Sequence, residues 1–336
     1  IVFGKMGGGM MFFETSYQRI SAGYEVNDLG YLKRADWQNQ GTWVGLRWRR
    51  PTRFYRSVAL DLNEWNDWTA SGLPLGHYLN ANLSAELLNK WFVRAGATYS
   101  GFGATYDDRA ARGGPAVRRS QQVSPWLGIE GDSRRALAPS VQFNYDRGDE
   151  GRTSSITVGP SVTLRMSPRW STSLGASISR NRDHTQWYGN DVDSSGTAHY
   201  TFAHLAQRTA SLPLRLSFTA TPTLTLQVYA EPFVSKGTYS DVREIADPRA
   251  AAYADRYQPY ADTAVTNHLR AFNYRQFRSN VVLRWEYKPG STLYVVWTQG
   301  REGSASEYGT RSFTGEFRDL LDLRPDNTFL IKVSHW

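Results

Sequence analysis

Between Leu212 and Ala220 the apolar side chains fall on every second position. Leu212, Leu214, Leu216 and Phe218 alternate with Pro213, Arg215, Ser217 and Thr219. After Thr221-Pro222-Thr223 the pattern resumes with Leu224, Leu226 and Val228. Successive side chains of a strand point to opposite faces, so such a segment has one apolar and one wet face. The pattern recurs along the chain with hardly a helical interruption. It predicts an all-β, antiparallel transmembrane β-barrel, whose alternate residues face lipid.

Alternation and turn chemistry together predict about fourteen strands. They fall near 9–23, 34–50, 54–70, 77–89, 91–106, 120–131, 136–147, 152–167, 170–185, 198–220, 224–238, 274–287, 291–303 and 327–336. The clearest faces are Leu79/Ala81/Leu83/Ala85/Leu87, Ile156/Val158/Val162/Leu164/Met166, Trp170/Leu174/Ala176/Ile178 and Val281/Leu283/Trp285/Tyr287. Tight turns are expected at Pro51-Thr52-Arg53, Asn89-Lys90, Asp132 to Arg135, Ser167-Pro168-Arg169, Thr221-Pro222-Thr223 and Lys288-Pro289-Gly290. Longer polar connections alternate with them, at 24–33, 71–76, 107–119, 148–151, 186–197, 239–273 and 304–326. This short–long alternation is expected when one end of a barrel faces the periplasm and the other the outside. An even strand count also puts both chain ends on the short-turn side.

Composition agrees with this reading and narrows it. No apolar run of roughly 18 residues occurs, so no segment reads as a membrane helix. A mean hydropathy of −0.53 is compatible with a barrel, in which only alternate residues meet lipid. There is no cysteine among the 336 residues, which excludes disulfides and thiolate metal sites. The net charge is +8, but Lys and Arg are interleaved with acids rather than clustered, so nucleic acid is not an expected partner. Basic loops and anionic lipid headgroups account for the balance. The opening Ile1-Val2-Phe3-Gly4 carries no leader features, as in a mature protein or a fragment of a longer one.

Aromatic residues supply a second check. Trp37, Trp48, Trp65, Trp68, Trp91, Trp170, Trp187, Trp285 and Trp297 lie mostly toward strand ends, with Tyr17, Tyr99, Tyr145, Tyr287 and Tyr294 in similar places. Amphipathic rings favour the headgroup level. The closing strand ends on Trp336, although Phe329, Ile331 and Val333 form its apolar face and Trp336 falls on the other.

Three stretches carry a resemblance. The first is Tyr24-Glu25-Val26-Asn27-Asp28-Leu29-Gly30-Tyr31-Leu32 with Arg34-Ala35-Asp36. The second is the run from Phe202 to Tyr239, containing Leu226-Gln227-Val228-Tyr229-Ala230-Glu231-Pro232-Phe233. The third, Phe272 to Arg301, includes Arg278-Ser279-Asn280, Leu283-Arg284-Trp285-Glu286-Tyr287-Lys288-Pro289-Gly290-Ser291 and Val296-Trp297-Thr298-Gln299. With Arg324-Pro325-Asp326-Asn327 they resemble the C-terminal barrel region of a bacterial outer-membrane family of unknown function, domain of unknown function family 5916. Its members usually carry an N-terminal carbohydrate-binding domain of the family-9 type. The resemblance implies the outer membrane of a Gram-negative bacterium and further barrel strands upstream. It transfers no catalytic residue, and no saccharide-binding role, to any residue of this chain.

The residues themselves offer little catalytic chemistry. His77, His184, His199, His204, His268 and His335 are dispersed. His199 and His204 are five apart, on opposite faces of a strand, so they do not share a metal there. Asp183-His184 adjoins a loop and is the one acid–base candidate, but adjacent strand residues point apart. No Ser sits in a nucleophile elbow, and Gly7-Gly8-Gly9 opens no phosphate-binding helix. In Asp191-Val192-Asp193-Ser194-Ser195-Gly196 the oxygens of Asp191, Asp193 and Ser195 have the spacing of half a calcium loop. Phe202 stands where its closing acid belongs, and such clusters also form plain hairpin turns.

Opposite the apolar face, Arg47, Arg94, Arg165, Arg215, Arg284 and Lys332 are expected to point into the lumen, with Asp61, Glu86, Glu130, Glu231 and Glu286. A selective pore needs a ring dominated by one sign. Here the signs nearly balance, which suits cross-strand ion pairs bracing the wall or a weakly selective aqueous lumen. The expected function is passage or docking of a solute at the cell surface, saccharide-related by family analogy alone. The rivals are a structural barrel that holds partner proteins, and a barrel hydrolase. Outer-membrane lipid, and upstream strands or another chain completing the wall, are the expected partners. No cofactor is implied.

Overall fold

A computed structural model describes residues 1–28, 30–266 and 269–336, with the backbone alone at Thr263 and Ala264. The strands begin with β1 (Val2–Lys5), β2 (Met11–Ile20), β3 (Trp37–Trp48), β4 (Tyr55–Trp68), β5 (Pro74–Leu87) and β6 (Phe92–Ser100). They continue with β7 (Tyr106–Asp107), β8 (Val117–Arg118), β9 (Gln122–Glu130), β10 (Leu137–Gly148), β11 (Thr153–Ser167), β12 (Trp170–Gly175) and β13 (Ser177–Val192). The rest are β14 (Ala198–Ser211), β15 (Leu214–Thr221), β16 (Leu224–Ile245), β17 (Tyr257–Pro259), β18 (Ala271–Lys288), β19 (Ser291–Ala305) and β20 (Asp326–Ser334). Three short helices, α1 (Tyr253–Arg256), α2 (Thr263–Thr266) and α3 (Phe313–Asp322), lie in the long connections.

The fold is all-β and antiparallel. β7 and β8 pair only with each other; every other strand joins one sheet, in which β6 pairs with β9 and, across the interrupted strands, β11 pairs with both β12 and β13, β12 with β15, and β16 with both β14 and β15. Each principal strand runs antiparallel to both neighbours, so the tight turns gather at one end and the long connections at the other. At the tight-turn end Arg56 pairs with Glu86 at 3.1 Å, and Glu286 N donates to Thr223 O at 2.8 Å. The turn into β19 needs Gly290, whose φ of 78° is left-handed, and Glu286 Oε1 accepts its amide at 3.2 Å.

The structure departs from the sequence reading in several places, among them β16, which runs on to Ile245 and so into the expected 239–273 connection. The expected strands at 170–185 and 198–220 are each interrupted, between β12 and β13 and between β14 and β15. Proline supplies no amide donor. At this seam Ala176 N donates to Pro160 O, Gly175 N to Pro213 O, and Leu212 N to Pro232 O, at 2.9, 2.9 and 3.1 Å. An unforeseen strand, β1, pairs with Phe13 to Ser16 of β2, and Ile1 N reaches Tyr17 O, away from the tight-turn end. β13 runs on to Val192, well into the expected 186–197 connection. Finally, 304–326 holds a true helix, α3, started by Ser312, whose hydroxyl accepts the Gly315 amide at 3.3 Å.

Register lays the alternation out as continuous rungs. Met11, Leu46, Leu60, Leu83, Ala95, Leu127, Phe143, Val158, Ile178, Ala210 and Val234 stand side by side across β2 to β16. The next rung on the opposite face runs through Asp61, Asn82, Gly96, Trp126, Asn144, Thr157, Ser179 and Thr209. Rungs climb across the sheet: Leu46 lies two residues from the end of β3 at Trp48, whereas Val234 lies ten from the start of β16 at Leu224. The polar face is concave, because Tyr78 of β5 and Asp183 of β13 line one cavity though β6, β9, β10 and β11 separate them. Trp65, expected in an aromatic girdle, stands on this polar face beside Gly41.

The sheet is not closed among the described residues. β2 pairs with β1 and β3, and β20 pairs with β19 alone, so both outer edges are free. The exposed area is 20149 Å², against about 14,000 Å² for a compact 38.0 kDa protein. Buried apolar residues gather instead at the long-connection end. One cluster joins Ala111, Val117, Phe202, Tyr253 and Tyr257; another joins Tyr188, Ala203, Val242 and Tyr260.

Gly96 tests the polar rung. A Cβ there would lie 2.4 Å from Asn82 Oδ1 and 2.7 Å from Ala81 O. Gly96→Ala is expected to cost about 1–3 kcal/mol. Gly300→Ala, with nothing within 4 Å, should stay within about 0.5 kcal/mol of the parent. Denaturation midpoints of the two variants check this.

Candidate functional site

The long connections fold over the concave face and interlock. Arg34 donates to both oxygens of Asp108, with Nη1 at 2.9 Å from Oδ1, joining the β2–β3 and β6–β9 connections. Asn190 Nδ2 donates to Ala111 O at 3.1 Å, and Arg118 N to Pro248 O at 2.7 Å. From α1, Tyr253 N donates to Glu150 Oε1 at 2.7 Å and its hydroxyl to His184 O at 2.9 Å. These bonds tie together five separate parts of the chain.

Beneath this cover lies a cavity of about 540 Å³. Its floor is the polar face: Gln122, Asp146, Thr153, Ser155, Asn181 and Asp183. The Asp149 carboxylate accepts from Thr185 Oγ1 at 3.3 Å and from Thr153 Oγ1, and Asp183 Oδ1 accepts the Thr185 amide at 2.7 Å. Asp149 and Glu150 hold left-handed φ values of 49° and 56° at the β10–β11 turn, a conformation unfavourable for residues with a Cβ. The roof is cationic and aromatic. Arg119 pairs with Asp107 at 2.9 Å, whereas Arg256, 1% exposed, donates to Arg118 O at 2.9 Å and to the Ser120 hydroxyl. Arg256 lies over the rings of Tyr253 and Tyr257 at 5.9 and 6.0 Å, has no ion-pair partner among the described residues, and leaves its Nε without an acceptor.

The arrangement presents carboxylates and amides below and guanidinium groups above a cavity with tyrosine edges. Such a site binds by hydrogen bonding and stacking. Burial pushes the Tyr257 hydroxyl well above the ordinary tyrosine range. Tyr260 is pushed up to about 12, first by burial and then by its hydrogen bond to Asp191, 3.1 Å away. Asp108 is held below the usual carboxylate range, first by its hydrogen bond from Arg34.

The charged residues expected to face a lumen all fall on the polar face, outside the lining of this cavity. Arg47 pairs with Asp61 at 2.5 Å, Arg94 with Glu130 at 2.7 Å, and Arg284 with Glu286 at 3.0 Å. Glu86 takes Lys90 at 2.9 Å, Arg165 donates to Ser133 O, and Arg215 lies over Tyr229, whose hydroxyl donates to Glu231. Lys332 stands opposite Tyr294. Asp193 closes its own turn, accepting from the Ser195 and Thr197 amides at 2.8 and 2.9 Å, while Asp191 accepts from Tyr260. Among the described residues no group of three or more His, Asp or Glu is placed to hold a metal.

Asp183 and His184 are not brought together. The Asp183 carboxylate serves Thr185, and the His184 ring packs on His204, with centroids 4.1 Å apart. His199 lies between Glu244, 2.5 Å from Nδ1, and Asp193, 3.4 Å from Nε2, which occupies both ring nitrogens. His268 and Leu29 lie outside the described residues. Sequence reasoning missed Arg118, Arg119, Arg256 and Tyr257, whose meeting joins positions up to 138 residues apart.

These features define an all-β protein whose antiparallel sheet has one apolar face and a polar, concave face covered by its own connections. The family described as Domain of unknown function (DUF5916) matches residues 1–336, and the chain belongs to that family. No curated protein and no solved structure matches it.

The cover should respond to alkali through Tyr260. A raised folded-state value means its contribution is whole below the ordinary value of 10.0 and is lost as pH rises toward about 12. Protease cleavage within 246–270 is expected to begin in that window, together with tyrosinate absorbance. Cleavage already complete below pH 10 would show that Tyr260 does not hold this segment.

Proposed function

We propose that the chain is part of the wall of a β-barrel spanning the bacterial outer membrane, and that the cavity at its long-connection end docks a polar solute entering from outside. The observation that carries this reading is the unbroken apolar rung from Met11 to Val234 on the convex face, backed by a polar concave face. Soluble proteins rarely expose contiguous apolar patches beyond a few hundred Å². Here Leu62, Leu83, Ile178, Leu174, Trp285 and Ile331 are all exposed on one face. The climb of the rungs is the stagger that a barrel wall requires.

The free edges fit a wall that continues. Unpaired backbone groups in hydrocarbon cost several kcal/mol each. β20 is exposed along its whole length, from Asp326 to Ser334. On this reading β1 and β20 pair with further strands, from upstream sequence or from another chain. The cross-strand ion pairs brace the wall and leave no ring of one sign, which favours uncharged solutes. Paired carboxylates, amides and tyrosines in the mouth suit a polyhydroxylated solute, a saccharide by family analogy.

Substitutions on the two faces test the wall. Leu226 belongs to the apolar face beside Leu283 and Phe218, and Gln227 to the polar one. Leu226→Arg is expected to cost on the order of 2–4 kcal/mol near a bilayer midplane, and Gln227→Arg far less. Equal loss of folded, heat-modifiable protein from both variants would sink the lipid-facing assignment. For docking, malto-oligosaccharide is expected to block conductance of the full protein in planar bilayers. Asp183→Ala should raise the concentration needed at least about tenfold, as loss of a charged hydrogen-bonding group does. Unaltered block in Asp183→Ala would remove the mouth cavity from the pathway.

A further inference from the structure

The same strands that form the floor of the mouth cavity carry a second cavity, of about 440 Å³, on their apolar side. Its lining includes Arg180, Arg182, His184, His204, Arg208 and Tyr308. Register places Ile156, Arg180, Arg208 and Lys236 side by side on β11, β13, β14 and β16. Three cations thus stand in consecutive cross-strand positions, where like charges oppose each other. Lys236 is neutralised: α3 lies over it, and Glu316 is 3.1 Å from its Nζ. Arg180, Arg182 and Arg208 have no carboxylate partner among the described residues. The nearby acids are engaged elsewhere, Asp241 by Arg243 and Glu150 by Arg152 at 2.8 Å, while Asp183 points to the other face. The Nδ1 atoms of His184 and His204 are buried and lack partners.

We propose that this cavity binds the phosphate group of an acidic membrane lipid. An anion bridging Arg180 and Arg208 would turn an opposed pair into two charge-assisted contacts, and guanidinium forks suit phosphate oxygens. The source is a lipid because the cationic rung lies one step from Val158 and Ile178, exposed apolar side chains on the same face. A phosphate held by Arg180 and Arg208 therefore has the exposed Ile178 side chain, with Ile156 and Val158 beside it, within reach of its acyl chains. Tyr308, reaching over from the β19–β20 connection with its ring 4.6 Å from Lys236 Nζ, bounds the site on one side. This inference rests on the membrane reading.

The test uses the full chain in neutral detergent with dioctanoyl phosphatidic acid, dioctanoyl phosphatidylcholine and inorganic phosphate as separate probes, with binding read by native mass spectrometry and phosphorus NMR. Phosphatidic acid is expected to bind the parent about a hundredfold more tightly than the Arg180→Gln/Arg182→Gln/Arg208→Gln variant. Phosphatidylcholine and inorganic phosphate should bind the parent weakly. An Arg94→Gln/Arg215→Gln/Arg284→Gln control, equal in charge but altered on the polar face, should bind phosphatidic acid like the parent. Equal binding by parent and cavity variant overturns the site, and inorganic phosphate binding as tightly as the lipid overturns the lipid assignment. Folding is checked without lipid at low salt, where Arg208→Gln alone should raise the unfolding midpoint by relieving the opposed charges. Insertion into phosphatidylcholine liposomes reads the membrane assignment separately: parent and cavity variant should insert alike, and failure of the parent to insert counts against the membrane reading rather than against phosphate recognition.

Discussion

Everything in this molecule depends on the backbone ladder between sequence neighbours. With a side-chain period of two, each hydrogen-bonded register decides the face of every residue in a strand, and one residue of slip would exchange the faces. Ladders such as β16 with β18, paired from Leu224–Trp285 to Thr238–Ala271 without a shift, lock Leu226 and Leu283 on one side and Gln227 and Val282 on the other. No second layer packs against most of the sheet. Stability over that part must come from the ladders, cross-strand pairs and whatever covers the apolar face.

Packing of the usual kind begins where the ladder fails. β13 loses register between Asp183 and Gln186 and again between Trp187 and Gly189, and β14 against β16 between Phe202 and His204. Bulges redirect side chains and free backbone from strict pairing. Above them Tyr257, Val117 and Ala111, from segments that are connections in the sequence, pack with Phe202 of β14 into a buried cluster. Arg256 enters that cluster with its guanidinium held by a carbonyl, a hydroxyl and two aromatic faces, its Nε left without an acceptor. Its burial without a close carboxylate is costly, and the ordered loops around it make that burial possible.

Strand positions and tight turns were legible because their signals are local. Leu224, Leu226 and Val228 announce a strand within a few residues, and Lys288-Pro289-Gly290 announces its turn. The proline seam was legible only in part. Pro213 is visible in the sequence, but its alignment with Pro160 and Pro232 depends on registers accumulated over several strands. The cover was not legible: Tyr253 meets Glu150 across 103 residues, and Arg256 meets Arg118 across 138, with no periodicity to signal either. β1 escaped because Val2 to Lys5 is too short for alternation to register.

The two cavities show how alternation separates chemistry. Asn181 and Asp183 contribute to the acidic floor of one, and Arg180 and Arg182, their neighbours in the same strand, to the cationic wall of the other. Within β13 no side chain needs to cross the sheet for this, because the pleat alone sends adjacent residues apart. The cost falls across strands, where Arg180 must stand opposite Arg208. α3 relieves the same problem one strand further on by bringing Glu316 to Lys236, and Asn273 Nδ2 donates to that carboxylate at 2.8 Å. A helix built into the chain thus supplies the counter-charge at one end of the cationic rung, and the remaining arginines stand where a counter-charge from outside the chain has room to enter.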